Sequence, residues 1–295
     1  MKKKNTNLLG YLLIAPWLTG FFLMLLVPMC VSLYYSFTSY NMLKAPEFIG
    51  WANYVRMFND KDFVNSLSVT TRYVALLVPL RLAFALLVAM ILATPRKGSG
   101  AYRTIYYIPS VIGGSVAVAI IWKQIFGNPG VVMTAMRTMG FDPKVSLLGS
   151  EATALYVLAL MGVWQFGSSM LILLAALKQV PRHLYEAATI DGSNAWQRFV
   201  KITLPMITPA LFFNLILQII GGFKVFSESY IITSGGPGKS TMFYVLNLYN
   251  RAFKYFEMGY SSAMAWFLVI LIAALSGLVF ATQNRWVYYE AKGGD

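Results

Sequence analysis

The sequence predicts an all-α membrane protein with six transmembrane helices, and three observations carry that prediction. Of 295 residues, 58% are apolar and only 12% charged, against roughly 25% charged in an average soluble domain. Six apolar segments, about 11–34, 67–93, 102–126, 152–177, 205–232 and 260–281, reach the roughly 20 residues that cross a hydrocarbon core. The basic residues between them are unevenly divided. Lys2, Lys3, Lys4, Arg96, Lys97, Arg103, Lys178, Arg182, Arg198, Lys201, Arg285 and Lys292 fall on the N-terminal side, whereas Lys44, Arg56, Lys61, Arg137, Lys144, Lys239, Arg251 and Lys254 fall on the other. Since Lys and Arg accumulate in cytoplasmic loops, a single multi-pass domain over 1–295 is expected in the cell membrane, with both termini cytoplasmic.

The first span follows Met1-Lys2-Lys3-Lys4. Its apolar run is too long for a signal-peptide core and no small-x-small cleavage site closes it, so it is expected to be retained. After it, Trp51, Tyr54, Val55 and Phe58 have helical spacing and predict a segment lying along the outer surface. Span two carries Arg81 near its middle. A charge there costs roughly 2.5 to 3.5 kcal/mol on insertion scales, so Arg81 is expected to face the protein interior or a wet cavity. Pro79, Pro109, Pro205 and Pro209 interrupt or begin spans and are candidate hinges, Pro205 being equally well a first-turn proline.

Span four contains Trp164-Gln165-Phe166-Gly167-Ser168-Ser169, a polar and aromatic cluster. Such groups recognise uncharged sugars by ring faces and amide or hydroxyl bonds, although Trp164 and Phe166 serve helix packing equally well. Residues 178–204 follow as a polar island between apolar runs. Arg182 precedes Glu186 by four, Gly192 breaks the pattern, and Asn194 with Gln197 has capping-box spacing for a second helix. Trp196, Phe199, Val200 and Thr203 then share one face, at i, i+3, i+4 and i+7. That face suits an amphipathic loop resting on lipid headgroups, packing on the chain's own helices, or docking in a groove of another protein. Span five holds Lys224 and Glu228, four apart and able to pair on one helix face, and Gly221-Gly222 permits close helix approach.

Other classes fit poorly. The net charge of +13 is scattered over loop ends without a continuous stripe, so no nucleic-acid partner is expected. Cys30, expected to be buried, and His183 are each the sole residue of their type, which leaves no disulfide framework or metal site. Gly238-Lys239-Ser240 resembles the end of a P-loop, but position 233 is Thr233 rather than the required glycine. Asp60 and Asp62 beside Lys61 read as solvated loop charges. No acid, base or metal set for a membrane enzyme emerges, and an ion-coupled secondary transporter lacks its inverted repeats and span carboxylates.

Glu186-Ala187-Ala188, followed by Asp191-Gly192 and then by Ile202-x-Leu204-Pro205, resembles the EAA loop in permease subunits of bacterial binding-protein-dependent ABC importers. The resemblance continues through Asn53-Tyr54, Tyr102-Arg103-Thr104, Ile108-Pro109, Trp164-Gln165, Tyr230-Ile231-Ile232-Thr233, Gly235-Gly236-Pro237-Gly238 and Met258-Gly259-Tyr260. It covers nearly the whole chain and is strongest to the sugar-importer branch, in particular to the larger maltose-permease subunit.

The resemblance implies the type I importer permease fold and a non-catalytic subunit that moves a sugar by alternating access. Its implied partners are a second homologous permease, an ATPase subunit dimer carrying ATP and Mg, an extracytoplasmic solute-binding protein, the sugar and membrane lipids; this chain itself binds no cofactor. Glu186, Ala187, Ala188, Asp191, Gly192, Trp196 and Phe199 become the ATPase-coupling residues. The maltose-contacting positions fall on Gln165, Phe166 and Ser169 and on Gln218, Gly221, Gly222 and Val225, with Gly222, Lys224 and Val225 replacing asparagines. Maltose is therefore not the expected cargo. Arg81 with Lys224 favours an acidic, uronate-containing oligosaccharide; a neutral oligosaccharide, a glycerol phosphate-like solute, or an acid on the partner permease meeting Arg81 remain alternatives.

Overall fold

The computed structural model describes residues 4–94, 97–141 and 144–288, with side chains from residue 10. Lys2, Lys3, Arg96 and Lys292, and the side chain of Lys4, lie outside the described residues. Among the described residues, five helices are long and apolar enough to cross a membrane, or six if one bent pair is counted as a single span. By its internal contacts the chain divides into two compact units, residues 1–61 with 248–270, and residues 62–247 with 271–295.

In the first unit, α1 (Lys4–Phe21) passes through a π-helical turn, Phe22–Leu26, into α2 (Val27–Ser36). None of the apolar window of this span is buried in protein. The apolar residues of this span lie on the surface of the chain rather than in its core, and Cys30 among them is exposed, contrary to the sequence expectation. A two-residue antiparallel ladder follows, β1 (Thr38–Ser39) with β2 (Glu47–Phe48), and then α3 (Ala52–Asn59). Asn53 secures α3 by donating through Nδ2 to the carbonyls of Ser36 and Thr38, both at 2.9 Å. Trp51, Val55 and Phe58 stay exposed while Asn53 and Met57 are buried.

Asp60 differs from the sequence reading. Its side chain is 12% exposed and pairs with Arg251 at 2.7 Å, while the Tyr260 hydroxyl donates to it at 2.9 Å. Glu257 bridges Arg251 at 3.1 Å and Arg56 at 2.6 Å. Burial works against the Arg251 charge, but the adjacent Asp60 and Glu257 outweigh it and raise the guanidinium above its ordinary value. The partners of Asp60 lie 191 and 200 residues away, so no local pattern signals the cluster.

The second unit contains α4 (Lys61–Ala93), unbroken through Pro79. The expected third span is two helices, α5 (Ser99–Ile112) and α6 (Val116–Phe126). Gly113-Gly114 interrupts the helix and Ser115 restarts it, its hydroxyl accepting from the Val118 amide at 3.3 Å. With α7 (Val131–Thr138) included, Val116–Thr138 is the candidate span. Span four is likewise two helices, α8 (Ala154–Trp164) and α9 (Gly167–Gln179), bent by 45°.

The polar island forms α10 (Arg182–Ile190), followed by α11 (Ala195–Arg198), a π-turn at Phe199–Thr203 and α12 (Leu204–Phe223). From Ala195 to Phe223 these are one span, rather than a loop ending at 204 and a span covering 205–232. The π-turn explains the continuity: the Leu204 amide bonds the Phe199 carbonyl, so the helical path carries on to Pro205, which has no amide proton to give, without a helix end between loop and span. Past Gly221-Gly222, Lys224 closes the helix and Val225 and Phe226 leave the helical pattern. A short π-turn, Ser229–Thr233, leads to α13 (Tyr244–Tyr249), and α14 (Met258–Trp286) ends the described chain.

The core of this unit joins Ala85, Val88, Ala89 and Leu92 of α4 to Phe166, Met170, Leu173 and Leu174 at α9, flanked by Ala210 and Leu211 of α12. Phe212 packs against Phe280 and Trp286 with ring centroids 5.0 and 5.8 Å apart. The Gly238-Lys239-Ser240 segment follows a π-turn instead of a strand, and Lys239 pairs with Asp62 at 2.6 Å.

Candidate functional site: a docking element and a polar cavity

The segment Arg182–Thr203 is held by its own bonds. Gly192, at φ +75°, occupies the left-handed position after α10 that glycine adopts without a Cβ penalty. Its amide reaches the Thr189 carbonyl at 3.1 Å, and the Ser193 amide reaches the Ala188 carbonyl at 2.9 Å. This is a Schellman closure, which satisfies carbonyls left free at a helix end. The second helix starts on a capping box: the Gln197 amide donates to Asn194 Oδ1 at 2.8 Å and the Asn194 amide to Gln197 Oε1 at 2.9 Å. Two side-chain bonds tie the halves together. Arg198 Nη1 donates to Thr189 Oγ1 at 2.7 Å, and the hydroxyls of Tyr185 and Thr203 lie 2.8 Å apart.

The Glu186 and Asp191 carboxylates take part in none of this, although the Asp191 amide caps α10 by donating to the Ala187 carbonyl at 3.0 Å. Both carboxylates are exposed, with no hydrogen bond or ion pair among the described residues. Trp196 is 70% exposed and Ile190, which the sequence reading passed over, 87% exposed. Trp196 lies 5.6 Å from Phe199, ring to ring. Ala187 is also exposed, Ala188 and Phe199 are half-buried, and Thr203 faces inward. A rigid scaffold thus presents two bare apolar side chains and two unspent carboxylates, the composition of a protein-docking surface with an apolar anchor and charged rim.

The second feature is a cavity of about 300 Å³ lined by Tyr73, Leu77, Arg81, Gly162, Gln165, Gly221, Gly222, Lys224, Val225, Phe226, Ser227 and Glu228. Arg81 reaches across to the break between α8 and α9, where Nη2 donates to the Gln165 carbonyl. Ser110 Oγ donates to the same carbonyl at 3.0 Å and accepts from the Ser168 amide at 3.1 Å. These bonds satisfy backbone groups that a bend releases inside a membrane. Gly167 makes the approach possible, since a Cβ there would lie 2.6 Å from the Tyr106 carbonyl oxygen and 2.8 Å from Ser110 Oγ. Arg81 Nε and Gln165 Nε2 are buried donors without partners among the described residues.

Of the sequence-derived substrate candidates, Arg81, Gln165, Gly221, Gly222, Lys224 and Val225 come together in this cavity. Phe166 instead lies in the core, 4.7 Å from Phe84 ring to ring. Ser169 is buried and accepts from Gln218 Nε2 at 2.7 Å, joining α9 to α12 outside the cavity lining. The break after Lys224 takes the place of the helical turn expected to pair Lys224 with Glu228. Lys224 has no ion pair among the described residues. Tyr73, Leu77, Gly162, Phe226 and Ser227 were missed as cavity residues. Gly162 carries a retrospective signal, because a small residue beside an arginine-bearing helix marks close approach; the others carry none.

The described helices combine several apolar spans, an exposed and locally bonded polar segment at Arg182–Thr203, and a polar cavity within the bundle. The chain belongs to the family described as binding-protein-dependent transport system inner membrane component, which it matches over residues 66–287, and it is a non-catalytic ABC transporter permease subunit whose ATP is hydrolysed by a separate subunit. It is 48% identical over 299 residues to the probable ABC transporter permease protein YesP of Bacillus subtilis (strain 168), covering 99% of this chain and 97% of that relative. It is 31% identical to the probable starch degradation products transport system permease protein AmyD of Thermoanaerobacterium thermosulfurigenes, covering 93% and 94%. The fold matches a chain in the crystal structure of a bacterial alginate ABC transporter in complex with alginate pentasaccharide-bound periplasmic protein, with TM-score 0.82, 22% identity and 96% of each chain covered.

Proposed function

We propose that this subunit carries an acidic oligosaccharide across the cytoplasmic membrane by alternating access, both termini facing the cytoplasm. Arg182–Thr203 docks on a partner ATPase dimer that holds ATP and Mg, a second permease completes the pathway, and an extracytoplasmic binding protein delivers the sugar. Glu186 and Asp191 contribute the charged rim of the dock, Trp196 its anchor with Phe199 beneath, and Ala187, Ala188 and Gly192 the close-fitting backbone.

The cargo reading rests on one observation: Arg81 Nε and Gln165 Nε2 are buried donors without partners among the described residues, in a cavity where Arg81 and Lys224 outnumber the single acid Glu228. Unpaired donors in a low-dielectric site favour a carboxylate that accepts from both. The relatives named above include one whose name refers to starch degradation products and a structural neighbour that handles alginate. A sugar cargo is common to both. A second reading, with a neutral sugar or a glycerol phosphate-like solute as cargo, is favoured by the bond from Arg81 to the Gln165 carbonyl, which gives the arginine a structural task.

ATP-dependent uptake by the reconstituted complex with its binding protein separates the two readings. Arg81→Gln is expected to lower uptake of a uronate oligosaccharide about tenfold more than that of a neutral one, the loss of one charge-assisted bond. Equal losses on both cargoes overturn the acidic reading and leave Arg81 as a brace for the bent helix.

A further inference from the structure

A second cavity, separate from the polar one, lies beside Arg182–Thr203. It measures about 670 Å³ and is lined by Met90, Ala93 and Thr94 of the α4 end, Leu177, Lys178 and Val180 around the α9 end, and Arg182, Tyr185 and Thr203. Its chemistry is two-sided. Met90, Ala93, Leu177 and Val180 supply an apolar wall; Thr94, Tyr185 and Thr203 supply hydroxyls; Lys178 and Arg182 supply two positive charges.

Those two cations are unspent. Neither has a hydrogen bond or ion pair among the described residues. Arg182 has an acid available four residues on, Glu186, at the helical spacing that permits pairing, yet it lines the cavity while Glu186 does not. Among the described residues, no Asp or Glu lines the cavity. A cleft walled by one sign of charge concentrates counter-ions of the other, and its size is that of an ordinary small-molecule site.

We propose that this cavity binds a phosphate-bearing ligand, and that occupancy tunes the docking element. A phosphate monoester carries about −1.5 to −2 charges at pH 7 and three strong acceptor oxygens. Two cations match that charge, and the Thr94 hydroxyl can donate to one of its acceptors; the Tyr185 and Thr203 hydroxyls are bonded to each other, and Thr203 also to the Arg198 carbonyl. A sugar hydroxyl face or an acyl chain then lies along the apolar wall. Two sources share this chemistry: an anionic phospholipid headgroup, of the kind basic pockets between membrane helices recognise, and a soluble sugar phosphate. Either one touches Tyr185 and Thr203, the hydroxyl pair that staples α10 to the base of α12, so the ligand sits on the joint through which the dock is fixed to the membrane helix. The tuning rests on the reading of Arg182–Thr203 as the ATPase dock; the binding itself does not.

The test uses the purified complex of this chain with its partner subunits. In one arm, nanodiscs contain phosphatidylcholine with or without phosphatidylglycerol, and retained lipid is counted by native mass spectrometry. In the other, glucose 6-phosphate is titrated by calorimetry in phosphatidylcholine nanodiscs. Lys178→Gln with Arg182→Gln is expected to remove a retained phosphatidylglycerol in the first arm if the ligand is a lipid. In the second arm it is expected to weaken glucose 6-phosphate at least tenfold if the ligand is soluble, the loss of charge-assisted bonds. Unchanged binding in both arms overturns the site. Should the double variant not assemble, Lys178→Gln alone, outside the dock, makes the same comparison under the same two criteria. Wild-type uptake is measured in parallel: its absence refutes the importer reading, whereas unchanged ligand binding beside intact uptake refutes only this site.

Discussion

The docking element and the polar cavity are built in opposite ways. Every bond that shapes Arg182–Thr203 joins residues no more than 18 apart, the longest being Tyr185 to Thr203. The cavity is held by Arg81 to Gln165 across 84 residues, and its neighbouring helices by Ser110 to Gln165 across 55 and Gln218 to Ser169 across 49. A locally bonded element keeps its shape when the helices around it shift. A cavity bonded across helices is remade by the same shift. The first suits a lever that transmits motion as a body, and the second suits a site that must open to alternate sides.

The sharpest way to break that comparison is to remove the dock's anchor without touching its scaffold. Trp196 is largely exposed and its indole appears in no hydrogen bond, so Trp196→Ala should leave thermal unfolding of the isolated chain within about 0.5 kcal/mol of wild type. Its effect on ATPase-subunit affinity should be large, about 2 kcal/mol or more, as for an aromatic hot spot. Ile190→Ala should follow in the same direction. Affinity unchanged in both variants, measured by titrating the ATPase subunit onto the nanodisc-embedded permease pair, excludes this face as the dock.

Adjacent glycines test the cavity side. A Cβ on Gly222 would lie 2.9 Å from Val74 Cγ2, whereas a Cβ on Gly221 would meet nothing within 4 Å. Gly222→Ala should therefore force α12 from α4 and destabilise the complex by about 1–3 kcal/mol, with recovery in the Val74→Ala background. Gly221→Ala should leave stability unchanged and alter uptake alone. Thermal unfolding of the purified complex, run beside uptake, distinguishes the two; equal destabilisation means that the cavity wall packs as tightly at 221 as at 222.

How much of each region was legible in sequence follows from the same contrast. Asn194 and Gln197 are three apart, and the capping box that their spacing predicts is present in full. Gly192 announces its turn because only backbone geometry within a few residues is involved. The junction between dock and span was not legible, because Pro205 reads as a helix start and a π-turn has no residue signature. In the cavity, Arg81 stands out because a charge in an apolar run is expensive wherever it lies. Its receiving carbonyl at Gln165 and its neighbour Tyr73 were invisible, since a main-chain oxygen at a bend carries no residue type. Phe166 and Ser169 show the reverse problem: residue types that suit sugar binding also suit a core and an interhelical hydrogen bond.

A smaller effect tests whether Gly192 matters for its backbone angle alone. No atom lies within 4 Å of a Cβ built there, and φ is +75°. Strain without crowding should make Gly192→Val cost about 1–2 kcal/mol, while Gly192→Asn, a residue that accepts the left-handed region, should cost less. Amide exchange across 188–194 reads this directly, and equal acceleration in the two variants would point to crowding by a bound partner instead.

The smallest expected effect concerns the staple between Tyr185 and Thr203, and it decides whether the dock moves as one body with α12. The hydroxyls lie 2.8 Å apart and Thr203 is buried, so neither Tyr185→Phe nor Thr203→Val changes volume much. Each single variant should cost about 0.5–1.5 kcal/mol, the net worth of a neutral hydrogen bond, and the double variant should cost little more than either single. The informative readout is coupling rather than stability. If the staple transmits motion from the dock to α12, the single variants should hydrolyse ATP at near-wild-type rates yet move less sugar per ATP, and the double variant should match them. If uptake per ATP stays constant in all three, the continuous helix from Ala195 to Phe223 transmits the motion alone, and the staple only fixes the angle at which α10 meets it.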